Sequence, residues 1–165
     1  MVVEMANILS RRSLKRLEGV EPILRLIVIE ANKESKYDFM VLEGARTLEK
    51  QKQYLKRGST KTLKSLHLKQ PPLTANQLEI LKLKPELQAT EPKARAVDIC
   101  PCPKKGIIPW NHKFKFREYQ RAMFKVAEKY GVKLRWGGDW NQNGSSDDER
   151  FYDGPHFELP RKVYP

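Results

Sequence analysis

Apolar residues recur every three or four positions in several parts of the chain, and this spacing predicts α-helices. Residues 10–33 carry a broad apolar face that predicts two successive helices, the second opening at Pro22, a residue suited to a first helical turn. Residues 48–57 follow Thr47, which can accept a hydrogen bond as an N-cap. Residues 116–130 show the most regular repeat and predict the clearest helix of the chain.

Four short runs rich in β-branched and aromatic residues predict strands at residues 38–43, 94–100, 132–136 and 156–159. A loop rich in Gly, Asn, Asp and Ser separates the last two runs. Helices come first, and the strands are spread along the chain with local hairpins late. We therefore expect an α+β fold with a small, mostly antiparallel sheet and flanking helices.

Residues 68–93 interrupt this arrangement. Thr74 and Gln77 have the spacing of a capping box, which predicts a helix from Thr74 to about Lys84. The apolar stripe of that helix is thin, so it cannot support a core of its own. We expect one domain spanning residues 1–165, with residues 68–93 as an insertion that lies on its surface.

Composition narrows the functional classes. With 165 residues, 39% of them hydrophobic and 32% charged, the chain is typical of a single soluble domain. Its net charge of +12 predicts attraction to a polyanion: nucleic acid, anionic lipid head groups or an acidic cell-wall polymer. No apolar run approaches the roughly 20 residues of a transmembrane helix. Residues 1–7 lack the order of a secretory signal, so we expect cytoplasmic synthesis without a signal peptide.

Two histidines and two carboxylates supply the inventory of a catalytic zinc site, which needs three protein ligands, an open position and a nearby base. His156 and Glu158 alternate with apolar residues, so a strand would place both on one face. Asp98 lies at the end of an apolar strand, where a buried carboxylate requires a cation. His67 and Asp153 complete the set. From residue types alone, structural histidines in a small basic domain remain the alternative.

Four segments resemble, in chain order, the motifs of a family that contains zinc D-alanyl-D-alanine carboxypeptidases and phage L-alanyl-D-glutamate peptidases (endolysins). They are Ser65-Leu66-His67, Ala94-Arg95-Ala96-Val97-Asp98, Trp136-Gly137-Gly138-Asp139-Trp140 and Asp153-Gly154-Pro155-His156-Phe157-Glu158-Leu159. Gly44-Ala45-Arg46-Thr47, with Gln51, is similar to a further segment of the family. The resemblance runs from about residue 10 to 160 and implies the fold of the D,D-carboxypeptidase-like zinc peptidases.

The resemblance also implies roles for individual residues. It implies one zinc ion with three protein ligands: His67, Asp98 and His156. Asp153 would be the general base that takes a proton from water and passes it to the leaving amine. Arg46 would bind a substrate carbonyl or carboxylate and stabilise the oxyanion, and Ser65 would lie near the same group. Glu158 either orients the last histidine or forms an exposed salt bridge.

The chain departs from the family pattern between the first two ligands. The family leaves six residues between its first histidine and its aspartate, whereas this chain has thirty, residues 68–97. Ala94 also replaces the motif glycine. Loop closure entropy grows slowly with length, so the extra stretch can fold out as a loop. If it displaced His67, a non-catalytic binding protein would be the alternative.

A second metal site is suggested by the polar loop after residue 138. Oxygen-bearing side chains occupy the first, third, fifth and ninth positions of a calcium-loop pattern: Asp139, Asn141, Asn143 and Asp147. Gly144 fills the sixth position, but Arg150 stands where the pattern needs a bidentate glutamate. A polar turn is the alternative. Calcium here would order the segment that leads to Asp153.

These observations predict a zinc peptidase of the phage endolysin type that cuts stem peptides of peptidoglycan, most directly between L-alanine and D-glutamate. We expect a monomer that has no transmembrane segment, acts on the bacterial cell wall after release and binds no nucleic acid stably. A D-alanyl-D-alanine carboxypeptidase is the alternative within the same chemistry. A basic nucleic-acid-binding module, using the run Lys113-Phe114-Lys115-Phe116-Arg117, is the alternative from a different class.

Overall fold

The computed structural model describes residues 5–165. The helices of this part of the chain are Arg11–Arg16 (α1), Pro22–Glu34 (α2), Leu48–Lys56 (α3), Ala75–Leu81 (α4) and Lys113–Lys129 (α5). The strands are Phe39–Glu43 (β1), Lys69–Gln70 (β2), Lys93–Ala94 (β3), Ala96–Pro101 (β4), Arg135–Trp136 (β5) and His156–Glu158 (β6). A 3₁₀ turn occupies Pro85–Leu87.

Four strands form the main sheet in the order β1-β4-β6-β5, and each neighbouring pair is antiparallel. The other two strands, β2 and β3, form a separate antiparallel pair. The predicted α+β fold, with a small antiparallel sheet and flanking helices, is therefore confirmed.

The core lies between this sheet and the two longest helices. α2 packs against α5, and both bury one apolar face completely, as Ile27 and Met123 illustrate. Tyr119 of α5 packs edge-on against Phe39 of β1, with ring centroids 5.1 Å apart, and its hydroxyl donates to the carbonyl of Asp38 at 2.9 Å. The sheet thereby receives a rigid support on the side of the helices.

Several boundaries differ from the sequence-based expectation. α5 begins at Lys113, three residues early, because the ring of His112 caps its first turn. The strand expected over residues 132–136 is reduced to Arg135–Trp136. β4 continues to Pro101, so Asp98 lies inside the strand and not at its end as expected. Its partner across the sheet is His156 of β6.

Residues 68–93 follow the loop that carries His67 and lead into β4 through the β2–β3 pair. Lys69 is paired with Ala94, so the two ends of the extra stretch lie side by side. Beyond this base, α4 is capped by the predicted box of Thr74 and Gln77, but it ends at Leu81, because Lys82 adopts a left-handed conformation. The extra stretch is anchored by three buried leucines: Leu73, Leu81 and Leu83. The long separation between His67 and Asp98 is thus closed by backbone pairing.

Arg95 connects the base of this stretch to other parts of the chain. Its guanidinium is buried and donates to the carbonyls of Pro71 and Tyr164, each at 2.7 Å. The carboxylate of Glu21 lies 3.8 Å from the Arg95 Nε. Burial raises the pKa of Glu21, although the charges of Arg95 and Lys93 oppose the shift. Arg95 therefore holds three separate parts of the chain beside the second predicted ligand.

No helix of the described part of the chain combines the length and the apolar character needed to cross a membrane. The expected absence of a signal peptide concerns residues 1–7. Of these, residues 1–4 lie outside the described residues.

Candidate metal centre

The three predicted ligands come from two neighbouring strands and one loop. Asp98 of β4 and His156 of β6 are register partners, so their side chains emerge side by side on one face of the sheet. His67 lies in the loop that precedes β2, where its carbonyl accepts a hydrogen bond from the Arg46 amide at 2.8 Å. The loop thereby carries His67 over the end of the strand pair.

The donor atoms of these residues form a nearly regular triangle. His67 Nε2 lies 3.3 Å from both Asp98 Oδ1 and His156 Nδ1, and the latter two atoms are 3.2 Å apart. Ligands about 2.0–2.1 Å from a tetrahedral zinc ion are separated by roughly 3.3–3.4 Å. Within residues 5–165, this is the one group of three or more His, Cys, Asp or Glu side chains with metal-ligand spacing. The triangle fits one ion.

The remaining nitrogen of each imidazole is held by an acceptor. His67 Nδ1 lies 2.8 Å from the carbonyl oxygen of Gly44, and His156 Nε2 lies 2.8 Å from Glu158 Oε2. Because a carbonyl and a carboxylate can only accept, each of these ring nitrogens carries the proton. The lone pairs of His67 Nε2 and His156 Nδ1 are therefore left for a metal, as in zinc sites with outer-shell support.

The electrostatics of the triangle also favour a cation. Burial alone would raise the pKa of Asp98, but His67 and His156 hold it well below its usual value. Burial alone would lower the pKa of His156, but its hydrogen bonds to Asp98 and Glu158 raise that pKa to about 10. Without a metal, His156 is thus an imidazolium at neutral pH, and its Nδ1 proton faces Asp98. A divalent ion can take the place of that proton.

Asp153 lies in the tight turn that leads into β6. Its amide donates to the carbonyl of Gly137 at 2.7 Å, and its own carbonyl accepts from the His156 amide at 3.1 Å. A Cβ atom at position 137 would overlap the Asp153 carbonyl, so this close approach requires glycine. Within the described residues, the Asp153 carboxylate accepts no hydrogen bond. Burial raises its pKa, and Asp98 adds to the shift, while His156, His67 and Arg46 oppose it.

Comparison with known proteins identifies the family of this chain. The model of the phage L-alanyl-D-glutamate peptidase family matches residues 5–160. The chain belongs to this family. The peptidase is 30% identical, over 152 residues, to the L-alanyl-D-glutamate peptidase of Escherichia phage T5, covering 90% of this chain and 95% of that one. Among solved structures it resembles the L-Ala D-Glu endopeptidase ChiX of Serratia marcescens, with a TM-score of 0.69, 26% identity, and coverage of 100% of this chain and 99% of that one.

In this peptidase the other predicted residues lie around the triangle. Arg46 is fixed by hydrogen bonds from Nε to Glu43 and from Nη1 to Gln51, each at 2.6 Å. Among residues 5–165 its Nη2 has no hydrogen-bonding partner. The Ser65 hydroxyl accepts from the His67 amide at 3.2 Å, which shapes the loop that carries this histidine.

Glu158 both orients His156 and forms a salt bridge, which were the two alternatives left open by the sequence. Both contacts lie in the interior. The residue is 4% exposed. One oxygen accepts from His156, and the other is paired with the guanidinium of Arg135, whose Nε lies 2.7 Å away. Burial would raise the pKa of Glu158, but His156 and Arg135 lower it, so the side chain is an ionised acceptor.

Trp140 is a residue of the site that sequence reasoning did not single out. Its ring tilts over that of His156 with centroids 5.4 Å apart, and its indole nitrogen donates to the carbonyl of Phe151 at 2.8 Å. The guanidinium of Arg135 lies 5.0 Å from the centre of the Trp140 ring. Its presence in a resembling motif was the available signal, since a half-buried tryptophan in a loop has no periodic pattern.

The predicted calcium positions lie in a loop closed by its own side chains. The Asp139 carboxylate accepts from the amides of Asn143 and Gly144, at 3.1 and 2.9 Å. The side-chain amides of Asn141 and Asn143 donate to Asp148, at 3.0 and 2.6 Å. Asp147 is exposed and its amide donates to the hydroxyl of Ser145. The loop has the turns of the pattern, and the carboxylates of Asp139 and Asp148 accept hydrogen bonds from amides of the loop itself.

The basic run considered for nucleic-acid binding is the first part of α5. Phe116 is fully buried. The Arg117 guanidinium lies 4.9 Å from the ring of Trp136 and donates to Ser146, and Lys113 lies 4.9 Å from the ring of Tyr152. Much of this run therefore supports the polar loop and does not form a separate basic stripe.

Proposed function

We propose that the peptidase hydrolyses the L-alanyl-D-glutamate bond of peptidoglycan stem peptides with one zinc ion held by His67, Asp98 and His156. The observation that carries this proposal is the triangle of donor atoms, 3.2–3.3 Å on each side, in a chain that belongs to this peptidase family. The relatives are named for cleaving the L-alanyl-D-glutamate bond, which stem peptides of the cell wall contain. We therefore also propose that this chain acts on the bacterial cell wall after release from the cytoplasm.

The donor set supports zinc over the other common divalent ions. Two neutral imidazoles and one carboxylate oxygen are borderline ligands in a tetrahedral arrangement, which suits zinc. Calcium and magnesium prefer six or more oxygen ligands and larger or octahedral shells. The hydrogen bonds of Gly44 and Glu158 to the outer ring nitrogens add the support typical of zinc sites.

The mechanism follows from the positions of the surrounding groups. When bound, zinc lowers the pKa of a coordinated water and polarises the scissile carbonyl. The Asp153 carboxylate, with no protein donor among the described residues, takes the proton of the attacking water and delivers it to the leaving amine. The free Nη2 of Arg46 stabilises the negative charge that develops on the carbonyl oxygen. Ser65 positions the same part of the substrate.

Digestion of purified peptidoglycan, followed by mass spectrometry of the new termini, tests this function. We expect new amino termini on D-glutamate and no release of D-alanine, with activity lost on chelation and restored by zinc. Release of terminal D-alanine would instead identify a D,D-carboxypeptidase. Binding of nucleic acid without any cleavage of the wall would favour the non-catalytic alternative.

Glu158→Gln tests the support of the zinc site. A neutral amide accepts the His156 proton more weakly and leaves Arg135 without its counter-charge, so we expect zinc affinity to fall by about 10- to 100-fold. Titration with a zinc chelator of known affinity measures this change. Glu128→Gln, on the exposed side of α5, is the control and should keep the wild-type affinity. Unchanged affinity in Glu158→Gln would contradict the supporting role.

We propose that residues 68–93 are an insertion within a single peptidase domain spanning residues 1–165. Support comes from the β2–β3 pairing, which closes the stretch at its base, and from its anchoring through Gln77 to the carbonyl of Pro165 at 2.8 Å. The stretch buries its leucines against the common core and forms none of its own.

We further propose that the loop at Asp139, Asn141, Asn143 and Asp147 binds calcium. The loop precedes Asp153 and is tied to Phe151 by Trp140, so an ordered loop would fix the base. We expect calcium in the range of about 10⁻⁴–10⁻³ M to raise both the melting temperature and the activity at constant zinc, because few full charges face the ion. Magnesium at the same concentration is the control. Identical melting and activity with and without calcium would remove this proposal.

A further inference from the structure

One ring beside the metal centre gathers three cations. Tyr54 lies on α3, and Lys50 and Arg57 are placed four residues before it and three residues after it, on the same face of the helix. Lys50 Nζ lies 5.6 Å from the centre of the Tyr54 ring, and the Arg57 guanidinium lies 5.2 Å from it. The Arg46 guanidinium is closer still, at 4.7 Å. We call Arg46, Lys50, Tyr54 and Arg57 the Tyr54 cluster.

The three cations of the Tyr54 cluster are not balanced by the negative charge around them. Glu43 is the carboxylate that meets them, at 2.6 Å from Arg46 Nε and 3.4 Å from Lys50 Nζ. Arg57 forms no ion pair within the described residues. Across residues 48–64 there are six basic residues and one acidic residue, so neighbouring chain segments do not supply the missing charge. Like charges held close together repel one another unless an anion binds between them.

Arg46 links the Tyr54 cluster to the proposed reacting groups. The backbone amide of Arg46 is bonded to the carbonyl of the proposed ligand His67, and the Arg46 charge acts on Asp153. Lys50 and Arg57 are exposed to solvent. Both share the Tyr54 ring with Arg46, the residue proposed to contact the scissile carbonyl. Arg46 is already occupied on two of its nitrogens, and Lys50 shares the Glu43 carboxylate with it. Lys50 and Arg57 together therefore keep positive charge that is available for a second negative group.

The substrate of the proposed function carries such a group. Glutamate has two carboxyl groups, and only one of them can continue a peptide chain. The other is a free carboxylate close to the scissile bond. We propose that Lys50 and Arg57 form a subsite that binds this free carboxylate. The subsite would make the peptidase selective for a glutamate in which this carboxyl is not amidated. This inference rests on the proposed function and adds the residues that recognise the glutamate next to the scissile bond.

Charge changes on enzyme and substrate together test the subsite. Two synthetic stem peptides are compared, one with the free carboxylate of its D-glutamate and one with a carboxamide there. We expect the zinc-loaded wild type to prefer the acid by about 10-fold in kcat/KM, mainly through KM, as a charge-assisted contact would give. In Lys50→Gln/Arg57→Gln this preference should fall to about 2-fold or less. Lys50→Arg/Arg57→Lys keeps the charges and should keep the preference.

Lys52→Gln/Lys56→Gln is the matched control, because it removes the same charge from the opposite face of α3. It should retain the wild-type preference. Equal preference in wild type and Lys50→Gln/Arg57→Gln would overturn the subsite, as would loss of preference in the control. The subsite is also wrong if the Lys50→Gln/Arg57→Gln variant loses only its binding to intact cell walls. If the zinc-loaded wild type cleaves neither peptide, the proposed function has failed, and the subsite fails with it.

Discussion

His67→Ala is expected to abolish zinc binding and peptidase activity together. The substitution removes one corner of the donor triangle and leaves Asp98 and His156 as the two remaining ligands. Since loss of an outer-shell partner alone costs about 10- to 100-fold in metal affinity, loss of a direct ligand should cost at least about 100-fold. Zinc content after dialysis and the rate of stem-peptide cleavage measure the two effects.

The same variant should also lose its stabilisation by zinc. An ion that binds only the folded state at 100 times its dissociation constant contributes about 2.7 kcal/mol to folding. The melting temperature of the wild type is therefore expected to rise with zinc, while that of His67→Ala should not. His112→Ala is the control for the rise with zinc, because it also removes an exposed imidazole. Loss of its cap on α5 should lower the melting temperature equally with and without zinc. One equivalent of tightly bound zinc in His67→Ala would show that this histidine is not a ligand.

Asp153→Asn is expected to lower kcat by about 10²- to 10⁴-fold while zinc binding is retained, because a general base typically contributes that much. The amide keeps the shape of the side chain and its place between Gly137 and His156, but it cannot take a proton. Steady-state kinetics on a soluble stem peptide, together with zinc content, measure the outcome. Glu79→Gln, exposed on α4, makes the same charge change and should keep wild-type kinetics.

The stability of Asp153→Asn gives an independent readout. Burial raises the pKa of Asp153, so ionisation above that pKa costs folding free energy, and this cost is present at neutral pH. The zinc-free variant should therefore melt at the same temperature as the zinc-free wild type or at a higher one. Activity of the wild type should fall as the pH drops through the pKa of this base. Full activity in Asp153→Asn would assign the base to another group.

The structure supports the helices and strands that have strong local signals. Sequence predicts the capping residues Thr47 and Thr74 and the apolar repeat of α5. It does so because capping and helical spacing involve residues only a few positions apart. The predicted length of the strand at Arg135–Trp136 was too long, because the length of a short strand depends on how many residues of the partner strand can pair with it. The same reason explains why β4 extends past Asp98, opposite β1.

Sequence reasoning predicted the inventory of the metal centre, and the tertiary structure brings those residues together. Alternation along β6 places His156 and Glu158 on one side, which follows from the two-residue period of a strand. The position of His67 depends on the pairing of Lys69 with Ala94 across a long stretch of chain, and that register has no local signal. The tilt of Trp140 over His156, and the gathering of Arg46, Lys50 and Arg57 around Tyr54, likewise depend on contacts between segments distant in the chain or on the facing of one helix. Chemistry carried by residue type and short spacing is thus determined by the sequence alone, whereas distances within the site are decided by long-range packing.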